Sequence, residues 1–159
     1  MTLPASARMA ISICWEVSIT DAPLERPDQL CDVASGAVVE FWGLVRGVEN
    51  GREIEGIYYE VNRAMAEHQM NSLAEKAVID FSLTQLLIRH RIGFVKAAEA
   101  SLFLRAASSH RPAAFAASQW LIDELKRKVP IWKRPVFAPR ELRASRDSAK
   151  CFEQSAGAA

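Results

Sequence analysis

Basic side chains gather in two short segments of the second half of the sequence. Ser109-His110-Arg111 comes first, and the segment from Lys126 to Lys133 follows, reading Lys-Arg-Lys-Val-Pro-Ile-Trp-Lys. An arginine binds phosphate or carboxylate through two parallel hydrogen bonds, and a histidine moves protons near pH 7. A lysine in apolar surroundings loses hydration and can act as a base or a nucleophile. These residue types indicate an anionic ligand and proton-transfer or nucleophilic chemistry.

One helix is predicted to connect the two basic segments. Pro112 suits the first helical turn, where its missing N–H would be unpaired anyway, and Ser109 suits the cap. Pro130 disfavours helical backbone at Val129, so the helix is expected to end there. An N-terminus of this kind favours anions. We therefore expect both ends of the helix to contribute to one cationic cavity beside a buried strand.

The predicted helix also carries an apolar stripe. At about 100° per residue, Phe115, Ile122 and Val129 align on one face, with Lys126 at its edge. This position favours a desolvated, reactive Lys126. The alternative is that Lys126 lays its stem over the apolar surface and keeps its ammonium in water.

Composition is that of a soluble globular protein. The chain has 159 residues, 50% of them hydrophobic and 25% charged, which predicts one domain. A formal net charge of +1 gives no global field toward nucleic acid or membrane. Residues 126–146 hold eight basic residues and one acidic residue, however, which suits an anionic ligand. A solvated tail is the alternative for the part after Arg140, and nucleic-acid binding lacks an aromatic stacking platform there.

Cysteine spacing argues against a metal or redox site. Cys14, Cys31 and Cys151 form no Cys-x-x-Cys pair, so neither zinc nor a dithiol is predicted, and we expect reduced thiols in a cytoplasmic protein. The N-terminus lacks a sustained apolar run, and no run of about 18 apolar residues occurs, so neither a signal peptide nor a membrane helix is expected.

Hydrophobic periodicity predicts an α+β fold, in which a mixed or antiparallel sheet is covered by two long helices. A strong turn signal occurs at Asn50-Gly51. Residues 93–99 are predicted to connect two strands. We expect a flexible arm over 1–10, a single catalytic domain over 11–135 and an irregular tail over 136–159. Predicted strands are 11–19, 37–46, 54–61, 86–92 and 100–107, and predicted helices are 27–34, 62–81 and 112–129.

Three further positions bear on a site. Arg46 lies at a strand end next to a loop, where binding residues commonly occur. His110 lies at the junction of a strand and a helix, which also favours a functional role. His90 lies inside a strand between two arginines, and we interpret it as structural.

An ordered set of short motifs resembles the large, catalytic subunit of molybdopterin synthase. The set covers about residues 11–134 and consists of Gly-Ala-Val-Val-Glu-Phe-Trp-Gly-Leu-Val-Arg at 36–46, Tyr59-Glu60, Met65-Ala66, His90-Arg91-Ile92-Gly93, Ser109-His110-Arg111, Ala114-Phe115 and the Lys126 to Lys133 block. The resemblance implies an α/β hammerhead-type core and a homodimer. Two small ubiquitin-like sulfur-carrier subunits would complete a heterotetramer.

The same resemblance implies a sulfurtransferase. The carrier's C-terminal Gly-Gly thiocarboxylate would deliver two sulfurs to cyclic pyranopterin monophosphate, forming the dithiolene of molybdopterin in molybdenum cofactor biosynthesis. Lys126 and Lys133 would be catalytic, and both would bind substrate together with Arg46, His110 and Arg111. No metal and no organic cofactor is needed, because the activated sulfur arrives on the carrier.

Several positions depart from the family pattern. Pro135 stands where an acidic residue is usual, Asn62 replaces a tyrosine, Leu44 replaces a polar residue, and Ala98 replaces a glycine. Arg140 or Arg143 of a neighbouring subunit is a candidate for completing the cavity. These departures leave an alternative function open, a catalytically impaired paralogue that acts as a carrier-binding module.

Overall fold

The computed structural model describes residues 15–28 and 32–139, and its element order is that of an α+β fold. The elements are β1 (Trp15–Thr20), β2 (Ala37–Leu44), β3 (Val48–Glu49), β4 (Arg52–Val61), α1 (Arg63–Asp80), β5 (Leu83–Arg91), β6 (Gly93–Lys96), β7 (Ala100–Ser108), α2 (Arg111–Lys128) and β8 (Ile131–Phe137). The predicted fold class is confirmed. Neither helix in this part of the chain is long and apolar enough to cross a membrane.

The larger sheet has the strand order β1-β5-β7-β2, with β1 parallel to β5 and the other neighbours antiparallel. Helix α1 contacts β1 and β5, α2 contacts β7 and β2, and the two helices contact each other. The main core lies between helices and sheet, and its fully buried members include Met70, Leu86, Ile88, Leu104 and Leu121.

A smaller sheet is built around β4. Strand β4 pairs with β3, β6 and β8, and all three pairings are antiparallel. Tyr59 is the register partner of Gly93 on one side and of Lys133 on the other. Val45, Ile54, Ile57, Tyr59 and Val95 form a second core under this sheet. The pairing therefore ties the segment after α2 to the centre of the molecule.

Local residue types account for two features of the structure, and the second confirms the predicted turn. Asn62 caps α1, its side-chain oxygen accepting the N–H of Met65 at 3.2 Å. Asn50 and Gly51 have φ values of 51° and 73°, as the tight turn between β3 and β4 requires. Helix α2 begins where Pro112 predicted, but its cap is His110 rather than Ser109.

The predicted apolar face of α2 is wrong at Phe115, which is 63% exposed. The buried row instead runs through Ala114, Ala117, Leu121 and Leu125. Small alanine side chains let the helix approach the sheet closely, so the row of alanines is buried and the larger phenylalanine is not.

The predicted helix over 27–34 is also wrong in its described part. Residues 27, 28 and 32–34 are irregular, and 29–31 lie outside the described residues. The carboxylate of Asp32 accepts the N–H of Ala34 at 2.8 Å, and the carbonyl of Asp32 accepts the N–H of Ser35 at 2.9 Å. Aspartate commonly satisfies local backbone donors in this way, in competition with a helix.

Besides the two-residue β3, two further strands occur where none was expected. Strand β6 occupies the predicted connection, and β8 continues to Phe137, two residues past the expected end of the domain. Both are short edge strands that are stabilised by pairing with β4, a contact between distant parts of the sequence. Residues 11–14 of the first predicted strand, the arm over 1–10 and the tail beyond 139 lie outside the described residues.

Replacing Ala98 with glycine is expected to stabilise the protein. Ala98 has a φ of +70°, a left-handed conformation that costs an L-residue with a Cβ about 1–2 kcal/mol. We expect the free energy of unfolding, measured by urea titration, to rise by about 1 kcal/mol in Ala98→Gly. The neighbouring Ala97→Gly is the matched control and should destabilise, since Ala97 is not among the residues with positive φ. Equal destabilisation by both substitutions would contradict the prediction.

Candidate functional site

A cavity of about 720 Å³ opens where the end of α2 meets both sheets. Arg46, Lys126 and Lys133 bring three positive charges to it. Its apolar wall comes from Phe41, Trp42, Leu102, Leu125, Val129 and Ile131. Apolar side chains beside a few convergent charged groups are typical of a small-molecule site.

The turn between α2 and β8 positions both lysines. Lys126 lies in the last turn of α2, which ends at Lys128 as Pro130 predicted. The N–H of Ile131 then donates to the carbonyl of Val129 at 2.9 Å, and β8 runs back along β4. That return places Lys133 opposite Tyr59, with its ammonium 5.8 Å from the centroid of the tyrosine ring. Two lysines seven positions apart in sequence therefore line one cavity.

Both lysines lack a carboxylate partner within the described ranges 15–28 and 32–139. Glu124 lies close to Lys126 on α2 but pairs with Arg127 and, at 2.6 Å, with Lys128. The two basic residues that follow Lys126 are thus neutralised, whereas Lys126 and Lys133 are not neutralised by any described residue. An unneutralised pair of ammonium groups in a partly apolar cavity attracts an anion.

Arg46 forms an exposed ion pair, which restrains its side chain less than a buried ion pair would. Its guanidinium lies 3.3 Å from the carboxylate of Glu49, and its side chain is 80% exposed. Exposed pairs of this kind contribute about 0–1 kcal/mol to stability. Arg46 is therefore available to a ligand at small cost.

Tyr59, His90 and Ser101 also line the cavity, and we call these three residues its neutral wall. The hydroxyl of Tyr59 donates to Oγ of Ser101 at 3.1 Å, and Oγ of Ser101 donates to the carbonyl of Gly43 at 3.2 Å. Burial raises the pKa of Tyr59, which keeps its hydroxyl protonated. The ring of His90 packs edge-on against Tyr59, with centroids 5.4 Å apart.

Burial also lowers the pKa of His90 to about 4, despite its bond to the carbonyl of Arg91, and the charge of Lys133 lowers it further. The imidazole is therefore neutral at pH 7. Its Nδ1 lies 2.8 Å from that carbonyl, which can only accept, so Nδ1 carries the hydrogen.

A smaller cavity of about 210 Å³ adjoins the first and shares Arg46, Tyr59 and Lys133 with it. Glu49 and Pro135 line its other side. Lys133 and Arg46 thus stand between two compartments.

His110 and Arg111 do not reach the cavity formed by their own chain. Both are exposed at the start of α2, and Arg111 precedes Lys126 by 15 positions on that helix. At a rise of about 1.5 Å per residue, the two backbone positions lie roughly 22 Å apart. The expectation that both helix ends serve one cavity is not met within a single chain.

Sequence reasoning missed the neutral wall. His90 was interpreted as structural because it lies within a strand, and Ser101 gave no signal at all. Tyr59 and His90 belong to the quoted motifs, but their contact joins strands 31 positions apart in sequence. Strands β4 and β5 belong to different sheets, and the pairing of β4 with β6, which follows β5, brings the two residues together.

The fold and the cavity define an α+β domain with a cationic, partly apolar cavity. The sequence profile of the MoaE protein family matches residues 19–128, and the chain belongs to that family. A molybdopterin synthase catalytic subunit from Oryza sativa subsp. indica is 38% identical over 115 residues, which cover 72% of this chain. The match spans 60% of the length of that rice protein.

Solved structures show the same architecture. Molybdopterin synthase from Staphylococcus aureus superposes with a TM-score of 0.71 and 28% identity, covering 76% of this chain and 90% of that chain. A complex of subunits 1 and 2 of molybdopterin-converting factor from Helicobacter pylori superposes with a TM-score of 0.56, and at 24% identity it supports the fold alone. That match covers 67% of this chain and 74% of the other.

Acidification is expected to destabilise the fold through His90. The usual pKa of 6.5 applies to the unfolded chain, whereas the folded chain has a pKa of about 4. Between these values the unfolded chain binds a proton that the folded chain does not, so the free energy of unfolding falls as pH drops through this window. The full loss is about 3 kcal/mol. Urea titrations from pH 7 to pH 4 on wild type and His90→Phe measure it. Parallel pH dependence in the two proteins would contradict the assignment.

Proposed function

We propose that the protein is the catalytic subunit of a molybdopterin synthase. It transfers two sulfurs from the thiocarboxylated C-terminus of a small ubiquitin-like carrier to cyclic pyranopterin monophosphate, and so builds the dithiolene of molybdopterin. The observation that carries the proposal is the pair of unneutralised lysines, Lys126 and Lys133, in one cavity with Arg46. Family membership supplies the reaction, and the cavity supplies groups that suit it.

The charge of the site suits both reactants. The carrier's tail ends in an anionic thiocarboxylate, and the pterin carries a phosphate. Arg46 and Lys133 are shared by the two adjoining cavities, so one set of cations faces both compartments. We assign the phosphate and the developing negative charge to Arg46 and Lys133, since fixed positive charge stabilises such a transition state.

Lys126 is assigned the base or nucleophile role. It lines the cavity at the end of α2 together with Leu125 and Val129. Lys126 is exposed in the single chain, so the expected desolvation is not met there. In each transfer a carbon–sulfur bond forms on the pterin as an oxygen group leaves that carbon, and water then cleaves the carrier's acyl carbon–sulfur bond and leaves a carboxylate on the carrier. An amine at this place can take up a proton or form a transient amide with the carrier's terminal carbonyl.

His110 and Arg111 are assigned to the cavity of a second copy. They are exposed, they lie roughly 22 Å along α2 from Lys126, and no ion pair occupies either of them within the described part of the chain. A homodimer in which each copy lends the start of α2 to its neighbour uses all five predicted residues. Two carriers bound to this dimer give the heterotetramer.

Lys126→Ala is expected to lower the rate of molybdopterin formation by at least about 100-fold, because the amine that handles the acyl or proton transfer is removed. The assay mixes the protein with thiocarboxylated carrier and cyclic pyranopterin monophosphate and measures the dithiolene product. Lys128→Ala is the matched control, since Lys128 is on the same turn but pairs with Glu124.

Wild-type rate in Lys126→Ala would remove this lysine from the reaction. Carrier binding without any product from wild type would instead favour the carrier-binding module, which the unusual Pro135 beside Lys133 suggests.

Mixing two inactive variants tests whether the cavity is shared between copies. In a dimer of one Arg111→Ala chain and one Lys126→Ala chain, one of the two cavities keeps both native residues. Random mixing by denaturation and refolding should restore roughly a quarter of the wild-type activity. If both residues acted within one chain, the mixture would stay as inactive as the separate variants, and the shared cavity would be wrong.

A further inference from the structure

One ring nitrogen of the neutral wall, Nε2 of His90, has no hydrogen-bond partner among the described residues. The hydroxyl of Tyr59 donates its hydrogen bond to Ser101, and the hydroxyl of Ser101 donates to the carbonyl of Gly43. The Nδ1–H of His90 donates to the carbonyl of Arg91. The remaining ring nitrogen, Nε2, then holds a lone pair, and His90 makes no other hydrogen bond within the described residues.

That lone pair is accessible, because Nε2 is not among the fully buried polar atoms without a partner in the described residues. His90 lines the cavity, and its ring is fixed by the backbone carbonyl and by the T-shaped contact with Tyr59, whose ring centroid is 5.4 Å away. A ring fixed in this way cannot turn to exchange its two nitrogens without losing the bond to Arg91. Nε2 is therefore a preorganised hydrogen-bond acceptor.

The charges around the ring keep it an acceptor. Lys133 on β8, Lys126 on α2 and Arg46 after β2 line the same cavity, and the charge of Lys133 disfavours an imidazolium. Glu49 is the only carboxylate among the described residues lining either cavity, and it pairs with Arg46. The low pKa of His90 agrees with this arrangement.

We propose that Nε2 of His90 accepts a hydrogen bond from an N–H or O–H group of the ligand and makes His90 a specificity-determining residue of the cavity. The cations recognise the anionic end of the ligand, and His90 recognises a donor on its ring system. The identity of the ligand as a reduced pterin, which carries ring N–H groups and an amine, rests on the proposed function. A bare anion satisfies the lysines but leaves the lone pair of His90 without a partner.

Two substitutions of His90 separate the acceptor Nε2 from the anchor, which is the hydrogen bond of Nδ1 to the carbonyl of Arg91. An asparagine amide reaches the place of Nδ1 and can donate to the carbonyl of Arg91, but it offers nothing at the place of Nε2. A glutamine side chain is one bond longer and can set its carbonyl oxygen near the place of Nε2, while it loses the anchoring bond. His90→Asn thus keeps the anchor, and His90→Gln keeps the acceptor.

The experiment measures the affinity for cyclic pyranopterin monophosphate by calorimetry, together with KM and kcat in the synthase assay. Leaving the ligand's donor unpaired costs about 5- to 150-fold in affinity, so we expect His90→Asn to raise Kd and KM by at least about fivefold. His90→Gln should stay within about threefold of wild type, and kcat should change little in either. Inhibition by sulfate, an anion without a hydrogen to donate, should be the same in all three proteins.

The reverse order, with His90→Asn near wild type and His90→Gln impaired, would show an anchoring role and overturn the proposal. Equal loss in both variants with weaker sulfate inhibition would also overturn it, since the cation site would then be disturbed as a whole. Wild-type protein that binds the pterin but forms no product would contradict the proposed function, while the two binding constants would still decide the role of His90.

Discussion

The antiparallel pairing of β4 with β8 is the constraint on which the site depends. It fixes Lys133 opposite Tyr59, and Tyr59 in turn contacts His90 and bonds to Ser101. The same pairing fixes where the chain must go after α2, and hence where Lys126 stands at the helix end. A shift of one residue in this register would turn Lys133 to the opposite face of the sheet, because side chains alternate along a strand.

Local charge pairing decides which basic residues at the end of α2 remain without a counter-ion. Around the end of α2 the sequence places three consecutive basic residues, and Glu124 binds two of them, Arg127 and Lys128. The third, Lys126, lines the cavity without a counter-ion among the described residues. Concentrating positive charge without a partner costs stability, and a domain retains such an arrangement where an anionic ligand supplies the missing charge.

An element of this fold could be predicted from the sequence when its stabilising interactions join residues that are close together in the chain. The two long helices, the strand β2 and the Asn50-Gly51 turn follow from periodicity, caps and turn residues within a few positions of one another. Strands β6 and β8 were missed because their stability comes from β4, far away in sequence. The three cations of the cavity were found because their types are chemically distinctive, whereas the neutral state of His90 depends on burial that no local pattern reports.

The face of α2 illustrates the same limit. Phe115 is the most apolar side chain near the start of the helix, and periodicity alone assigns it to the core. The sheet instead accepts Ala114 and Ala117, since close approach of helix and strands buries more atoms overall than one large ring would. Phe115 is left 63% exposed near His110 and Arg111. The start of α2 therefore offers an aromatic ring and two basic groups together, which is consistent with its assignment to a neighbouring copy.

Pro135 raises the question of how Arg46 is balanced without an acidic residue at that position. Strand β8 tolerates a proline because it pairs on one side only among the described strands. Glu49 faces Arg46 across the smaller cavity, which Pro135 also lines. Their ion pair is exposed, so it contributes about 0–1 kcal/mol, and it is weak beside the two hydrogen bonds that a guanidinium can donate to a phosphate. Glu49 thus holds Arg46 near the cavity without competing strongly for it, and the loss of a carboxylate at position 135 leaves that arginine usable.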